Sequence, residues 1–266
     1  MSPDYRLLPE VSGKEILEDI DDFWQWFCRD SVEETCIGLH QIGLDRDAVL
    51  VVGESAGKRD STVHKTLADH LTGGYLAMQL ALSHPSEIHA LITAYPMLDL
   101  RSRFYTECYS KPIVGVPNMP NKMVDDHLSK WISSPADKKA YISAADPPNR
   151  LDLAFAIIQN GRFLEIFGQD RTLFPIERIE NLAAIGAPIE LPPTFLFHGK
   201  QDSAVPVDGS SRFVELLQFK APDTKICLYC QDGDHGFDAD ATLDTLWLKE
   251  GLGTITKAWL DKAPLS

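Results

Sequence analysis

Chemistry in this chain gathers first around Ser55, in the pentapeptide Gly53-Glu54-Ser55-Ala56-Gly57 directly after the apolar run Ala48-Val49-Leu50-Val51-Val52. A G-x-S-x-G pentapeptide closing a short buried strand has the form of a nucleophile elbow, a strand-to-helix turn so tight that only small residues fit beside the serine. The chemistry implied is acyl transfer. A serine hydroxyl is a weak nucleophile until a neighbouring base takes its proton, so a histidine, and usually a carboxylate to orient it, must come from elsewhere in the chain. In doubly wound sheets such groups sit on loops just past the carboxyl ends of strands. Asp202 stands in His198-Gly199-Lys200-Gln201-Asp202-Ser203-Ala204-Val205-Pro206, just after the apolar run Pro193 to Phe197. His235 stands in Asp232-Gly233-Asp234-His235-Gly236-Phe237, soon after Lys225 to Tyr229. Asp232, Asp234 and Asp238 around it read either as charges favouring its protonated form or as a solvated acidic patch.

These loops need a scaffold, and the hydrophobic pattern supplies one. Ala48–Val52 is too short and too uniformly apolar for a surface helix and reads as a central parallel strand. Ile88–Tyr95, Pro193–Phe197 and Lys225–Tyr229 read as further strands. Ile16, Leu17, Ile20, Phe23, Trp24 and Phe27 mark an amphipathic helix over Glu15–Phe27, and helices are expected after the elbow, at Ser210–Phe219 and at Ala241–Leu260. Alternating strands and helices predict an α/β fold, a mostly parallel sheet covered by helices on both faces. Residues 101–190 hold many prolines and amphipathic pieces such as Leu151–Phe163 but no convincing strand. They read as a helical cap inserted between the core halves 1–100 and 191–266.

Composition narrows the function class. With 266 residues, 44% hydrophobic and 24% charged, the chain is long enough for one large α/β domain. Its 25 basic and 39 acidic residues leave a formal charge of −14, which repels phosphate backbones and anionic membrane surfaces, so nucleic acid is not an expected partner. Five scattered cysteines argue against a disulfide framework and for a reducing, cytoplasmic setting. Cys227 and Cys230 form a C-x-x-C, but on a strand positions three apart face opposite ways. No window approaches the ~20 apolar residues of a membrane span, and the first residues lack an apolar signal core. His198, at a strand end, reads as a packed structural residue, and His64, His70 and His127 as solvated. No ligand spacing points to a metal, no G-x-G-x-x-G is present, and no cofactor is expected.

Four signatures occur in order: Asp4-Tyr5-Arg6-Leu7-Leu8-Pro9-Glu10, Gly53-Glu54-Ser55-Ala56-Gly57, the H-G-x-x-D-x-x-V-P run from His198 to Pro206, and His235. Through them the chain resembles the hormone-sensitive-lipase-like esterases and lipases of the α/β-hydrolase fold, over most of its length. The resemblance implies Ser55 as nucleophile, His235 as general base and then acid, and Asp202 as the orienting carboxylate. The backbone N–H of Ala56 would be one oxyanion donor, and a small-molecule ester the substrate. The chain departs from that family in two places. Family members carry an H-G-G motif upstream of the D-Y-R-L segment, and its glycine N–H groups complete the oxyanion hole. Here three residues precede Asp4, so the expected fold lacks its first strands. Losing one oxyanion donor costs about 100- to 1,000-fold in rate. A catalytically inactive α/β-hydrolase-like protein with a binding role is therefore the alternative reading.

The second departure lies behind the serine, where the family runs straight from G-x-S-A-G-G into a small-residue helix. Here Lys58 to Gly73 intervene, and without them the sequence reads Gly57-Gly74-Tyr75-Leu76-Ala77-Met78. Gly57-Lys58 can be encoded GGTAAG, which holds a 5′ splice signal, Thr72-Gly73 can end a 3′ signal, and Leu67-Ala68-Asp69 can hold a branch point. The stretch reads as a short translated intron in preference to a real insertion, although Val63, Leu67, Ala68 and Leu71 have helical spacing. Sequencing the mature transcript is expected to find the codons for residues 58–73 absent, and their retention would overturn this reading.

Overall fold

The apolar runs pair as one parallel sheet in sequence order, with β1 at Leu50–Gly53, β2 at Ala90–Ala94, β3 at Thr194–Gly199 and β4 at Ile226–Gln231. The computed structural model describes residues 1–29, 32, 44–54, 73–133, 141–143 and 150–260. Its helices are α1 (Gly13–Phe27), α2 (Gly73–Ser83), α3 (Arg103–Thr106), α4 (Asn121–Ser133), α5 (Arg150–Gln159), α6 (Phe163–Phe167), α7 (Pro175–Ala184), α8 (Val207–Lys220) and α9 (Leu246–Leu260).

Register sorts the side chains onto two faces. Ile92 lies opposite Phe195 and Thr93 opposite Leu196, and side chains alternate along each strand. Leu91 and Leu196 therefore pack on one face against Met78 and Ala81 of α2 and Phe213 and Leu217 of α8. Ile92, Phe195 and Phe197 pack on the other against Trp247 and Ile255 of α9. Leu91, Phe195 and Leu196 are fully enclosed, and each such side chain contributes about 1.5–3 kcal/mol on burial. A third cluster joins Ile16 and Ile20 of α1 to Tyr105, Phe155, Phe163, Phe167 and Phe174. It lies among the helices between β2 and β3.

Several elements differ from the sequence expectation for local reasons. Helix α1 starts at Gly13 because Ser12 and Glu15 form a capping box, with the Ser12 N–H donating to Glu15 Oε2 at 2.8 Å. The stretch 151–163 is broken into α5 and α6 by Gly161, whose φ of 69° leaves the helix. A Cβ there would lie 2.6 Å from the Glu107 backbone, so only glycine fits the turn. Helix α9 starts late because residues 238–245 turn twice first, Ala241 N–H bonding Asp238 O at 2.8 Å and Thr245 N–H bonding Thr242 O at 2.9 Å. Strand β1, expected to be central, pairs only with β2 among the described residues, and Val52 is 60% exposed.

The N-terminal motif ties two parts of the fold together. The Arg6 backbone N–H and Nε both bond the Asp19 carboxylate of α1, at 2.8 and 3.0 Å. Glu10, its side chain 1% exposed, accepts from Arg150 at 2.8 Å and faces His127 Nε2 at 2.7 Å. His127, its side chain 32% exposed, is thus both partly solvated, as expected, and paired with a buried carboxylate, a partner that its polar sequence surroundings do not reveal. Among the described residues no helix is long and apolar enough to cross a membrane.

Residues 55–72 lie outside the described part, but both ends of that stretch are in place. A Cβ at Gly53 would collide with the Gly73 carbonyl and the Ala77 side chain, and one at Gly73 with the Glu54 carbonyl. The end of β1 and the start of α2 therefore touch. Three residues, each advancing the chain by at most ~3.8 Å, suffice to join Glu54 to Gly74. A chain lacking 58–73 is expected to fold, with Gly57 taking the place of Gly73, and to melt no lower than the full chain. A lower melting temperature by circular dichroism would show the stretch to be a structural part of the fold.

Candidate active site

Because β1 to β4 run parallel, their carboxyl ends meet at one edge, and the loops after β3 and β4 are laced together there. Lys200 N–H bonds Gln231 O at 2.7 Å, Gln201 N–H bonds Gly233 O at 3.1 Å, and Gln201 Oε1 accepts from Gly233 N–H at 2.6 Å. Gly199 permits this approach, since a Cβ on it would lie 2.6 Å from the Gly233 carbonyl oxygen. Ser203 bonds Asp234 through both backbone N–H and hydroxyl, at 2.7 and 2.8 Å.

Within this lacing Asp202 meets His235. Asp202 Oδ2 lies 2.8 Å from His235 Nδ1, with side chains 0% and 1% exposed. A carboxylate only accepts, so Nδ1 carries the hydrogen of this contact. Asp202 Oδ1 accepts from the N–H groups of Ala204 and Val205 at 2.9 and 2.8 Å. Burial pushes the Asp202 carboxyl up, but hydrogen bonds from His198, His235 and the Val205 backbone outweigh it and pull it down to about 2. Sealed from water and met by donors on both oxygens, this aspartate is a fully bonded anion.

The flanking acids have partners of their own. Asp232 faces Lys200 at 3.2 Å, Asp234 holds Ser203, and Asp238 accepts from the Tyr95 hydroxyl at 3.2 Å. Tyr95 is a site residue that sequence reasoning missed. It directly follows β2, and its ring centroid lies 4.5 Å from that of His235. Its φ of 37° puts a non-glycine residue in left-handed space, a strain of about 1–3 kcal/mol that clusters at functional sites. The signal in the sequence was weak: an aromatic residue before Pro96, at the end of an apolar run.

His198 was read as packed, and it is fully buried, but it also reaches the site. Its Nε2 lies 2.8 Å from Val205 O and 3.3 Å from Asp202 Oδ2, and its Nδ1 lies 2.9 Å from Ser210 Oγ. Ser210 is 0% exposed, inside α8. Enclosed there, its hydroxyl is shut off from solvent. Ser55 and Ala56 lie outside the described residues; Glu54, at the end of β1, and Gly73 touch at this same edge. Among the described residues no group of three or more His, Cys, Asp or Glu side chains is placed to hold a metal ion.

A parallel sheet flanked by helices, with a buried Asp–His pair at its carboxyl edge, has the form of an α/β hydrolase. The chain has the α/β-hydrolase fold and is similar to carboxylesterases. The probable carboxylesterase M8 of a Phoma species is 26% identical over 260 residues, covering 97% of this chain and 74% of that protein. The non-reducing polyketide synthase ausA of Emericella nidulans is 24% identical over 282 residues, which are 91% of this chain and 10% of the synthase. Among solved structures, esterase B from Lactobacillus rhamnosis, inhibited by a tributyrin phosphonate, matches with a TM-score of 0.50 at 17% identity. That match covers 96% of this chain, which spans 64% of the esterase chain. No protein-family model matches.

The depressed Asp202 carboxyl has a stability consequence. Its folded value, about 2, lies below the ~3.9 of an unfolded aspartate. Its contribution, about 2 kcal/mol, is therefore complete well above pH ~4 and is lost as pH falls through the folded value. Asp202→Asn is expected to lower stability to urea by about 2 kcal/mol at neutral pH, with the gap to wild type narrowing between about pH 4 and pH 2. A gap independent of pH would show that the charge contributes nothing.

Proposed function

We propose that the chain is a serine hydrolase of carboxylic esters, working through an acyl-enzyme on Ser55 with His235 and Asp202 as its partners. The observation that carries this reading is the buried Asp202–His235 contact of 2.8 Å at the sheet edge where β1 and α2 meet. In this reading Ser55 Oγ attacks the ester carbonyl carbon while His235 Nε2 takes the hydroxyl proton, and the carbonyl oxygen becomes an oxyanion facing the Ala56 N–H. Collapse breaks the bond to the alcohol, which leaves with the proton from Nε2. Water then attacks the acyl-enzyme by the same route and releases the acid. Asp202 stays ionised throughout and holds His235 in the tautomer with Nδ1–H. The helical segment 101–190 acts as a cap that shapes the acyl or alcohol pocket.

The match to a tenth of a polyketide synthase favours a second reading. Here the acyl group is a polyketide held as a thioester, cleaved by the same residues. The two readings predict different substrate preferences.

A fluorophosphonate probe tests the shared chemistry. Covalent labelling of the folded chain is expected, with loss in Ser55→Ala and a fall in ester turnover on the order of 10⁶-fold. Folded protein that takes no label would support a non-catalytic binding protein. Comparing 4-nitrophenyl butyrate with an aromatic acyl thioester then decides between ester and thioester.

A further inference from the structure

We infer that His198 is a positioning residue for the Asp202–His235 pair, a link within a buried row Ser210–His198–Asp202–His235. This rests on the proposed role of Asp202 and His235. The four side chains form one contiguous polar row, hydrogen-bonded at both ends and closed in the middle by a longer contact: Ser210 Oγ to His198 Nδ1 at 2.9 Å, His198 Nε2 to Asp202 Oδ2 at 3.3 Å, and Asp202 Oδ2 to His235 Nδ1 at 2.8 Å. None of the four side chains reaches solvent by more than a trace, with His235 at 1% and the rest at 0%.

Hydrogen assignments follow from what each atom can do. Val205 O and Asp202 Oδ2 are acceptors only, so His198 Nε2, 2.8 Å from the first and 3.3 Å from the second, must carry a hydrogen shared between them. The Ser210 hydroxyl meets the other ring nitrogen and holds the ring in that orientation. Nε2–H, bonded to Val205 O, then also faces at 3.3 Å the same carboxylate oxygen that orients His235. Asp202 Oδ2 divides its negative charge between two histidine donors, while Oδ1 is held by two backbone N–H groups. Rotation of the carboxylate is therefore blocked from both sides. The strength of the bond to His235 is set in part by how much of Oδ2 His198 takes.

Packing alone does not require a histidine here. Strand β3 is otherwise Thr194, Phe195, Leu196, Phe197 and Gly199, and an apolar side chain at 198 would fill the same enclosed space without an unmet donor or acceptor of its own. Replacing the imidazole with an apolar ring would leave Val205 O and one side of Asp202 Oδ2 without this donor, and a lost bond to a charged group is the costly kind. His198→Gln keeps an N–H donor at the right reach. His198→Phe keeps the volume and loses it.

His198→Phe is expected to lower kcat/KM for an ester by about 10- to 100-fold, His198→Gln to recover most of that loss, and Ser210→Ala to give a smaller loss of the same kind. The deciding signature is the NMR resonance of the His235 Nδ1–H proton. With Oδ2 no longer shared it is expected to move downfield in His198→Phe and to return towards wild type in His198→Gln. An unmoved resonance in folded His198→Phe overturns the inference, and so does a loss of rate that glutamine does not repair. Should His198→Phe fail to fold, Ser210→Ala and His198→Gln carry the same readout, and a wild-type resonance position in Ser210→Ala again counts against the row. Absence of fluorophosphonate labelling in the wild type defeats the hydrolase reading instead, while the resonance still reports on the row.

Discussion

A carboxylate sealed from water keeps its charge only if its oxygens are met by donors, and the carboxyl edge of this molecule is organised around that requirement at Asp202. Its donors come from β3, from the loop that follows it and from the loop after β4. They converge because β3 and β4 run parallel in a register that sets Gly199 opposite Gln231. Gly199 has no side chain to hold the two loops apart. An unpaired buried charge would cost several kcal/mol, so the geometry of the candidate site and the stability of the edge are one constraint.

The same rule acts a second time, away from that edge. Burial pushes the Glu10 carboxyl up, but hydrogen bonds from His127 and Arg150 outweigh it and hold it below the ordinary range. Arg150 begins α5 and His127 lies on α4, while Arg6 in the same motif grips α1 through Asp19. One short segment thus fastens the helices between β2 and β3 to α1. Tyr95 meets the carboxyl edge from another strand: its backbone is strained, its ring lies against His235, and its hydroxyl is held by Asp238.

Much of the scaffold was legible because its cause is local. Ile92, Phe195 and Leu196 lie in runs too short and too apolar for a surface helix, and they form strands. Asp202 and His235 were legible as candidates because loops after parallel strands share an edge, a consequence of topology that chain order reveals. Other features depended on distant partners. Val52 sits in a run whose pattern predicts burial on both faces, yet β1 pairs only with β2 among the described residues and leaves it exposed. The pairing of His127 was not legible because its neighbours in sequence are polar and its partner Glu10 lies far away along the chain.

Taken by itself, the amino-acid sequence determined which segments form strands and helices, where the chain turns, and which serine, aspartate and histidine have the types and positions for acyl transfer. Side-chain period, capping and backbone sterics act over a few residues and can be read in order. Only the tertiary structure decided that Asp202 is a buried anion shared by two histidines, that Tyr95 lies against His235, and that the end of β1 meets the start of α2 across the residues between them. Those outcomes depend on desolvation and on close approach between segments far apart in the chain, and neither is encoded in the neighbours of any single residue.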